Sequence, residues 1–433
     1  MFALSGPDAG AARRMNEIVS IWSEWTKPSA GLATVQWSIL LALATMAGHL
    51  VNRFVGLPKV IGYSMVGALA GFAGFTGAVW PLQGTGLFLL ELAVAVVLFE
   101  AGGRIPLRWF RHNPMVLVQS LAESTLTFMV VYWVLRFMGV RESVAEALAL
   151  LAMAASPAVL SRVAIDTRAA GPVTDRALVL STLSTLYALT LCSARASMIP
   201  RGDDSIANTL YPVMVVLGLS VVVGSVLALT LRVALRVMSP TSENTAILLL
   251  ALIAASSALA ANYGGSAPLA ALLGGMTLKQ LNPRPWSWPR QMGTASSMLT
   301  MLMFVLVSVV AAQADWSEPV AGVVAVLIVV RIVAKITGVA LGNVGSGASW
   351  SQALWVGCAM APMSSVALLL VSLYVAASQT LGGEIAAVAL PIILLMEIFG
   401  AVLATAALYR AGECSRPWQP ARRATQPAPL NDA

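Results

Sequence analysis

Charge is scarce in this sequence. Of 433 residues only 10% are Asp, Glu, Lys or Arg, against about 25% in a soluble globular domain. So few solvated groups exclude an ordinary soluble enzyme, a disordered polymer and a nucleic-acid binder. Histidine is rarer still: His49 and His112 are the only two, which leaves almost nothing for histidine-based catalysis. The three cysteines, Cys192, Cys358 and Cys414, are odd in number and scattered, so they give neither a disulfide framework nor a metal cluster. Nor is there a nucleophile–base set. GGSAPLAALLGG (264–275) is Gly-rich, but it lies in an apolar hairpin rather than between a strand and a soluble helix, as a phosphate loop would. No enzymatic activity, metal or cofactor is expected. What abounds is apolar: 58% hydrophobic residues and a mean hydropathy of +0.82. This composition is that of an all-α integral membrane protein.

A bilayer core about 30 Å thick takes about 20 helical residues to cross. Apolar runs of that order lie at roughly 34–54, 58–79, 84–102, 113–137, 143–163, 176–198, 207–235, 244–262, 266–279, 296–314, 319–343, 351–376 and 384–409, thirteen expected spans. Residues 1–33 hold no apolar core of a cleaved signal and read as a leader, with Ile18–Trp25 as an interfacial alternative. An odd span number puts the chain ends on opposite sides. With the C-terminus inside, the cytoplasmic segments hold 17 Lys and Arg and the opposite ones 7. The +7 net charge therefore reads mainly as the positive-inside bias. The expected topology is N-terminus outside and C-terminus cytoplasmic, with 410–433 a Pro- and Arg-containing disordered tail.

Ionisable side chains at membrane depth are costly and mark candidate functional sites. Span 11, PVAGVVAVLIVVRIVAKITGVALG, carries Arg331 near its centre and Lys335 one turn later on the same face. Snorkelling would account for Lys335 better than for Arg331. Glu123 in span 4 and Glu397 in span 13 are each either a charge partner for this basic pair or a protonated structural carboxyl. Glu100, near the end of span 3, has Arg104 in reach. Ser156-Pro157 in span 5 and Ala361-Pro362 in span 12 should each break their helix, since proline removes a hydrogen bond and clashes with the preceding turn. Seven spans separate them, so they run in opposite directions. Paired broken helices are a pointer to a transporter's midplane site, ordinary proline kinks being the alternative.

Three stretches then carry a family resemblance. GLPKVIGYSMVGALAGFAGFTG (56–77), LFLLELAVAVVLFEAGGRIPLRWFR (87–111) and ENTAILLLALIAASSALAANYGGSAPLAALLGGM (243–276) resemble, in order, segments of the monovalent cation–proton antiporters that include Kef-type exchangers. The resemblance extends over about residues 34–409. It implies inverted repeats (about 34–198 and 244–409, linked by 207–235), a mobile core of spans 4–6 and 11–13, and a homodimer in the cytoplasmic membrane. It also implies exchange of Na⁺ or K⁺ for protons by alternating access.

The family places an acidic residue or pair in span 6, where a carboxylate holds either the cation or a proton. Here Ser184 and Thr185 occupy that place, and Asp175 lies two turns too early. Lys335 matches the lysine that pairs with the acid. Ser156-Pro157 and Pro362 match the two helix breaks, and Pro362-Met363-Ser364-Ser365 replaces the usual Pro-Arg-Gly-Glu. Three arrangements remain open. Glu123 or Glu397 replaces the lost acid, or Arg331 and Lys335 attract a small anion, or Ser156, Ser184, Thr185, Ser364 and Ser365 form a neutral hydroxyl site. The functional alternatives to an antiporter are a non-transporting or regulatory member of the same fold and an anion carrier.

Overall fold

The computed structural model describes residues 30–105, 110, 113–199, 206–238, 242–282, 290–314, 316–363 and 365–415. Most of the expected leader and tail, and the candidate Ser364, lie outside these residues. In chain order the helices are α1 (Ala30–Leu50, continued by a π-helical turn Val51–Val55), α2 (Lys59–Phe72), α3 (Gly84–Gly103), α4 (Met115–Phe137) and α5 (Glu142–Met153). Next come α6 (Pro157–Thr167), α7 (Pro172–Met198), α8 (Ile206–Val237), α9 (Glu243–Asn262) and α10 (Ala267–Leu281). The last are α11 (Arg290–Ala312), α12 (Glu318–Leu341), α13 (Trp350–Ala359), α14 (Ser365–Ala377) and α15 (Gln379–Arg410). Among the described residues there is no strand, only an isolated antiparallel bridge between Ala169 and Cys414.

Helix is found in each of the thirteen apolar runs. Among the described residues, ten stretches have the length and apolarity of a full crossing. The other three runs hold shorter helices: α2 with 14 residues, α10 with 15, and the α13/α14 pair with 10 and 13. Large apolar side chains stand on the outside, Phe137 at 94% exposure and Val237 at 83%, while Arg331, Lys335, Glu123 and Glu397 are buried within. That inversion is what a hydrocarbon solvent imposes, since a lipid-facing surface has no water to hold polar groups.

Local sequence sets the helix ends. Ser242 and Ser378 hydroxyls accept from the backbone N–H of Thr245 and Leu381, and Ser349 and Gln352 form a reciprocal capping box. Both expected broken helices are present. α5 stops at Met153, Ala154–Ser156 run extended, and α6 starts with Pro157 at its first position. There the missing proline N–H would have had no helical partner, so Pro157 opens the second half-helix rather than kinking a continuous one. α13 stops at Ala359 and α14 starts at Ser365. The two breaks cross, and the Ser156 N–H donates to the Pro362 carbonyl at 3.0 Å.

Glycines set how closely α4 and α12 approach this crossing. A Cβ on Gly338 would lie 2.5 Å from the Glu123 Cα, and one on Gly342 would lie 2.5 Å from the Gln119 Cα. These two glycines, one turn apart, let the helices pack backbone to backbone, as small residues do in membranes. Gln119 then donates to the Val339 carbonyl at 2.9 Å.

Candidate functional site

Breaking a helix frees backbone carbonyls, and inside a bilayer each must find a donor. Arg331 supplies three. Its Nε donates to the Ala152 carbonyl (3.0 Å), Nη2 to Ala154 (2.6 Å) and Nη1 to Ala361 (2.5 Å), so one guanidinium laces both breaks together. Lys335, one turn on, donates to the Met153 carbonyl at 3.0 Å. Both cations therefore sit at the carboxyl end of α5, where the helix dipole is negative.

The remaining charge on Lys335 is met by Glu123, with Nζ 2.5 Å from Oε1 and both side chains fully buried. Glu123 also accepts from the hydroxyls of Ser124 (3.1 Å, Oε2) and Thr127 (3.3 Å, Oε1). Of the two carboxylates weighed as partners, it is thus Glu123 that faces the lysine. Glu397 accepts from Ser64 (2.5 Å) and Ser308 (3.3 Å) on α2 and α11. Of the two readings open for Glu397, charge partner or hydrogen-bonded carboxyl, these bonds are those of the second.

The candidate hydroxyls are distributed around the same crossing. Thr185 donates to the Ala155 carbonyl and to Ser181 O, each at 2.7 Å, and Ser184 donates to Ser181 O at 3.1 Å. The Ser156 hydroxyl caps α6 by accepting from Val159 N–H at 3.3 Å. Ser365 opens α14 and is buried. Among the described residues, no group of three or more His, Cys, Asp or Glu is gathered as a metal site would require.

Two adjoining cavities, together forming a funnel, lie beside the crossing. A cavity of about 750 Å³ runs inward from Arg168 and Arg176 along Leu178 and Thr182 of α7. It shares Ala101, Arg104, Pro157, Ser161 and Ile165 with a second cavity of about 290 Å³, whose wall includes Glu100, Arg162, Ser296 and Thr300. Arg162 is held there by Ser297 (3.0 Å) and Thr300 (2.9 Å). Pro157, the first residue after the break, lines both cavities.

Glu100 thus stands on the cavity wall, a position the linear sequence did not reveal. Its LFEAGG segment was the available signal, but proximity to Arg104 favoured reading it as an interfacial ion pair. The Gly338/Gly342 spacing was a second missed signal, for the close approach that brings Glu123 to Lys335.

The family profile described as sodium/hydrogen exchanger, transmembrane, matches residues 39–409. A sequence comparison with curated proteins finds no match. Among solved structures, the chain is similar to the sodium proton antiporter MjNhaP1 of Methanocaldococcus jannaschii at pH 8, with a TM-score of 0.65 and 16% identity, covering 88% of this chain and 98% of that one. An electron-microscopy map of the same antiporter gives a TM-score of 0.58 at 18% identity, covering 94% and 98%. The profile match spans nearly all of the membrane part, so this integral membrane protein belongs to the sodium/hydrogen exchanger family, a family of transporters rather than enzymes.

Proposed function

We propose that the protein exchanges a monovalent cation, Na⁺ or K⁺, for protons by alternating access. The observation that carries this reading is the pair of adjoining cavities that share Pro157, with Glu100 on the wall of the smaller one. One carboxylate can hold either a monovalent cation or a proton, and that competition couples the two fluxes. Ser184 and Thr185 cannot do this, since hydroxyls do not release protons near neutral pH. Glu123 is engaged by Lys335. The exchange is assigned to Glu100, with Ser161, Ser296 and Thr300 completing the wall, rather than to Asp175, which lines the larger cavity beside Arg176 in the first turn of α7. Arg104 and Arg162 nearby weaken the hold on a cation, which suits a site that must also release it.

Arg331 and Lys335 then hold the two half-helix pairs together while the core of spans 4–6 and 11–13 moves against the remaining helices. The basic-residue bias supports a cytoplasmic-membrane location with the C-terminus and the funnel mouth inside. A homodimer follows from the family resemblance. Proteoliposomes acid-loaded inside test the reading: external Na⁺, K⁺ or Li⁺ should drive proton efflux. Absence of efflux with all three cations over pH 6–9 would favour a non-transporting member of the fold.

A further inference from the structure

Beyond the end of α15, Gly412 at φ +75 turns the chain back, and Glu413–Ser415 lies along the turn joining α6 to α7. The Ala170 N–H donates to the Glu413 carbonyl (3.1 Å) and the Ser415 N–H to the Arg168 carbonyl (3.3 Å). Ala169 and Cys414 are thereby a closely opposed antiparallel pair. The Glu413 side chain reaches further. Oε1 accepts from Val173 N–H at 2.7 Å, and Oε2 accepts from the N–H and hydroxyl of Thr174 at 2.7 and 2.6 Å.

These bonds do the work of a helix cap. α7 is 27 residues long, yet its own N-cap position is Gly171, with no side-chain bond. A Cβ there would lie 2.4 Å from the Glu413 Cδ, so the glycine leaves room for a carboxylate arriving from 240 residues away. The N-terminus of a long helix combines unfilled N–H groups with a positive dipole, and bonds to an ionised acceptor are about twice as strong as neutral ones. The capped turn is also a wall of the funnel, through Arg168, Ala170, Thr174 and Arg176. On its other side Arg176 donates to the Ser346 hydroxyl at 3.1 Å, in the loop between α12 and α13.

We propose that Glu413 is a positioning residue for transport. Supplied from the start of the C-terminal tail, its carboxylate fixes the register of α7 and hence the shape of the funnel, so the tail and the cavity are mechanically linked. The flux readout rests on the transporter reading above; the labelling readout does not.

The test uses the full chain in proteoliposomes. Glu413→Ala should raise the half-saturating cation concentration roughly tenfold, the scale set by losing one or two charge-assisted bonds, with a smaller change in maximal rate. Glu413→Gln, which keeps an acceptor oxygen, should fall between. A merely structural role would lower the amount of active protein and leave half-saturation unchanged. Independently, Thr182→Cys on the funnel wall, with the three native cysteines changed to Ser, should react several-fold faster with a charged maleimide when Glu413 is Ala.

Closing the strap by another bond should reverse the defect. In Glu413→Ala carrying Ala169→Cys, Cys192→Ser and Cys358→Ser, oxidation joins the new thiol to Cys414 and should restore half-saturation; reductant should undo it. Burial holds the Cys414 thiol above its ordinary value, so oxidation is run at alkaline pH. Unchanged half-saturation and unchanged labelling in Glu413→Ala would overturn the proposal, and so would a cross-link that restores nothing. Changed labelling in a protein whose wild type carries no flux would support the strap while removing the transporter reading.

Discussion

Lys335 and Glu123 carry opposite charges with no exposure to solvent, an arrangement whose worth is measured by breaking it. Removing one partner strands the other in a medium that cannot solvate it, at a cost of about 3–5 kcal/mol. Lys335→Ala should therefore lower unfolding stability in detergent by about that amount. Lys335→Met with Glu123→Leu should recover most of it, because neither charge then remains; thermal unfolding of wild type and the two variants reads the difference. Arg331 should be less forgiving of conservative change. A lysine there cannot span the three carbonyls of Ala152, Ala154 and Ala361 that the guanidinium fork reaches. Arg331→Lys should loosen both breaks, which faster amide exchange in residues 154–156 would report. Which glutamate faces Lys335 could not be read from spacing, since Glu123 and Glu397 are both buried mid-helix acids in the sequence. The choice depends on helix rotation, and 212 residues separate Glu123 from Lys335.

That rotation is fixed one scale up, by how the elements meet. Gly338 and Gly342 put the α12 backbone against the α4 residues Glu123 and Gln119, and the ion pair forms on that contact. Gly338→Val has no room for its added atoms, so α4 must retreat and draw Glu123 away from Lys335. Overpacking of this kind costs about 1–3 kcal/mol, and the loss should shrink when Glu123 and Lys335 are already replaced by Leu and Met. The broken helices were legible from Pro157 and Pro362, while prolines elsewhere show why the signal is incomplete. Pro212 and Pro391 lie inside continuous helices, α8 and α15. The difference at the two breaks is the presence of Arg331 and Lys335, which satisfy the freed carbonyls. The remote cap on α7 was illegible for a different reason: Gly171 and Glu413 are unremarkable separately, and only the fold brings them together.

For the whole molecule, scarcity of charge identified the membrane class, and the distribution of basic residues gives an expected topology. Accessibility reporters should place residues beyond Arg410 on the cytoplasmic side and the 136–142 turn on the other; the reverse would remove the inward-facing funnel. The pattern of apolar runs was enough for the helices, because bilayer thickness and backbone hydrogen bonding constrain them so strongly. The transport site was less legible, because the family's usual acids are replaced by Ser184 and Thr185, and the carboxylates that line the cavities are Glu100 on α3 and Asp175 at the start of α7. The role of Glu100 is tested by cation-driven proton efflux from proteoliposomes holding wild type or Glu100→Gln at equal protein content. Efflux in wild type and its loss in Glu100→Gln are expected; full efflux in Glu100→Gln would rule out Glu100 as the exchanging carboxylate.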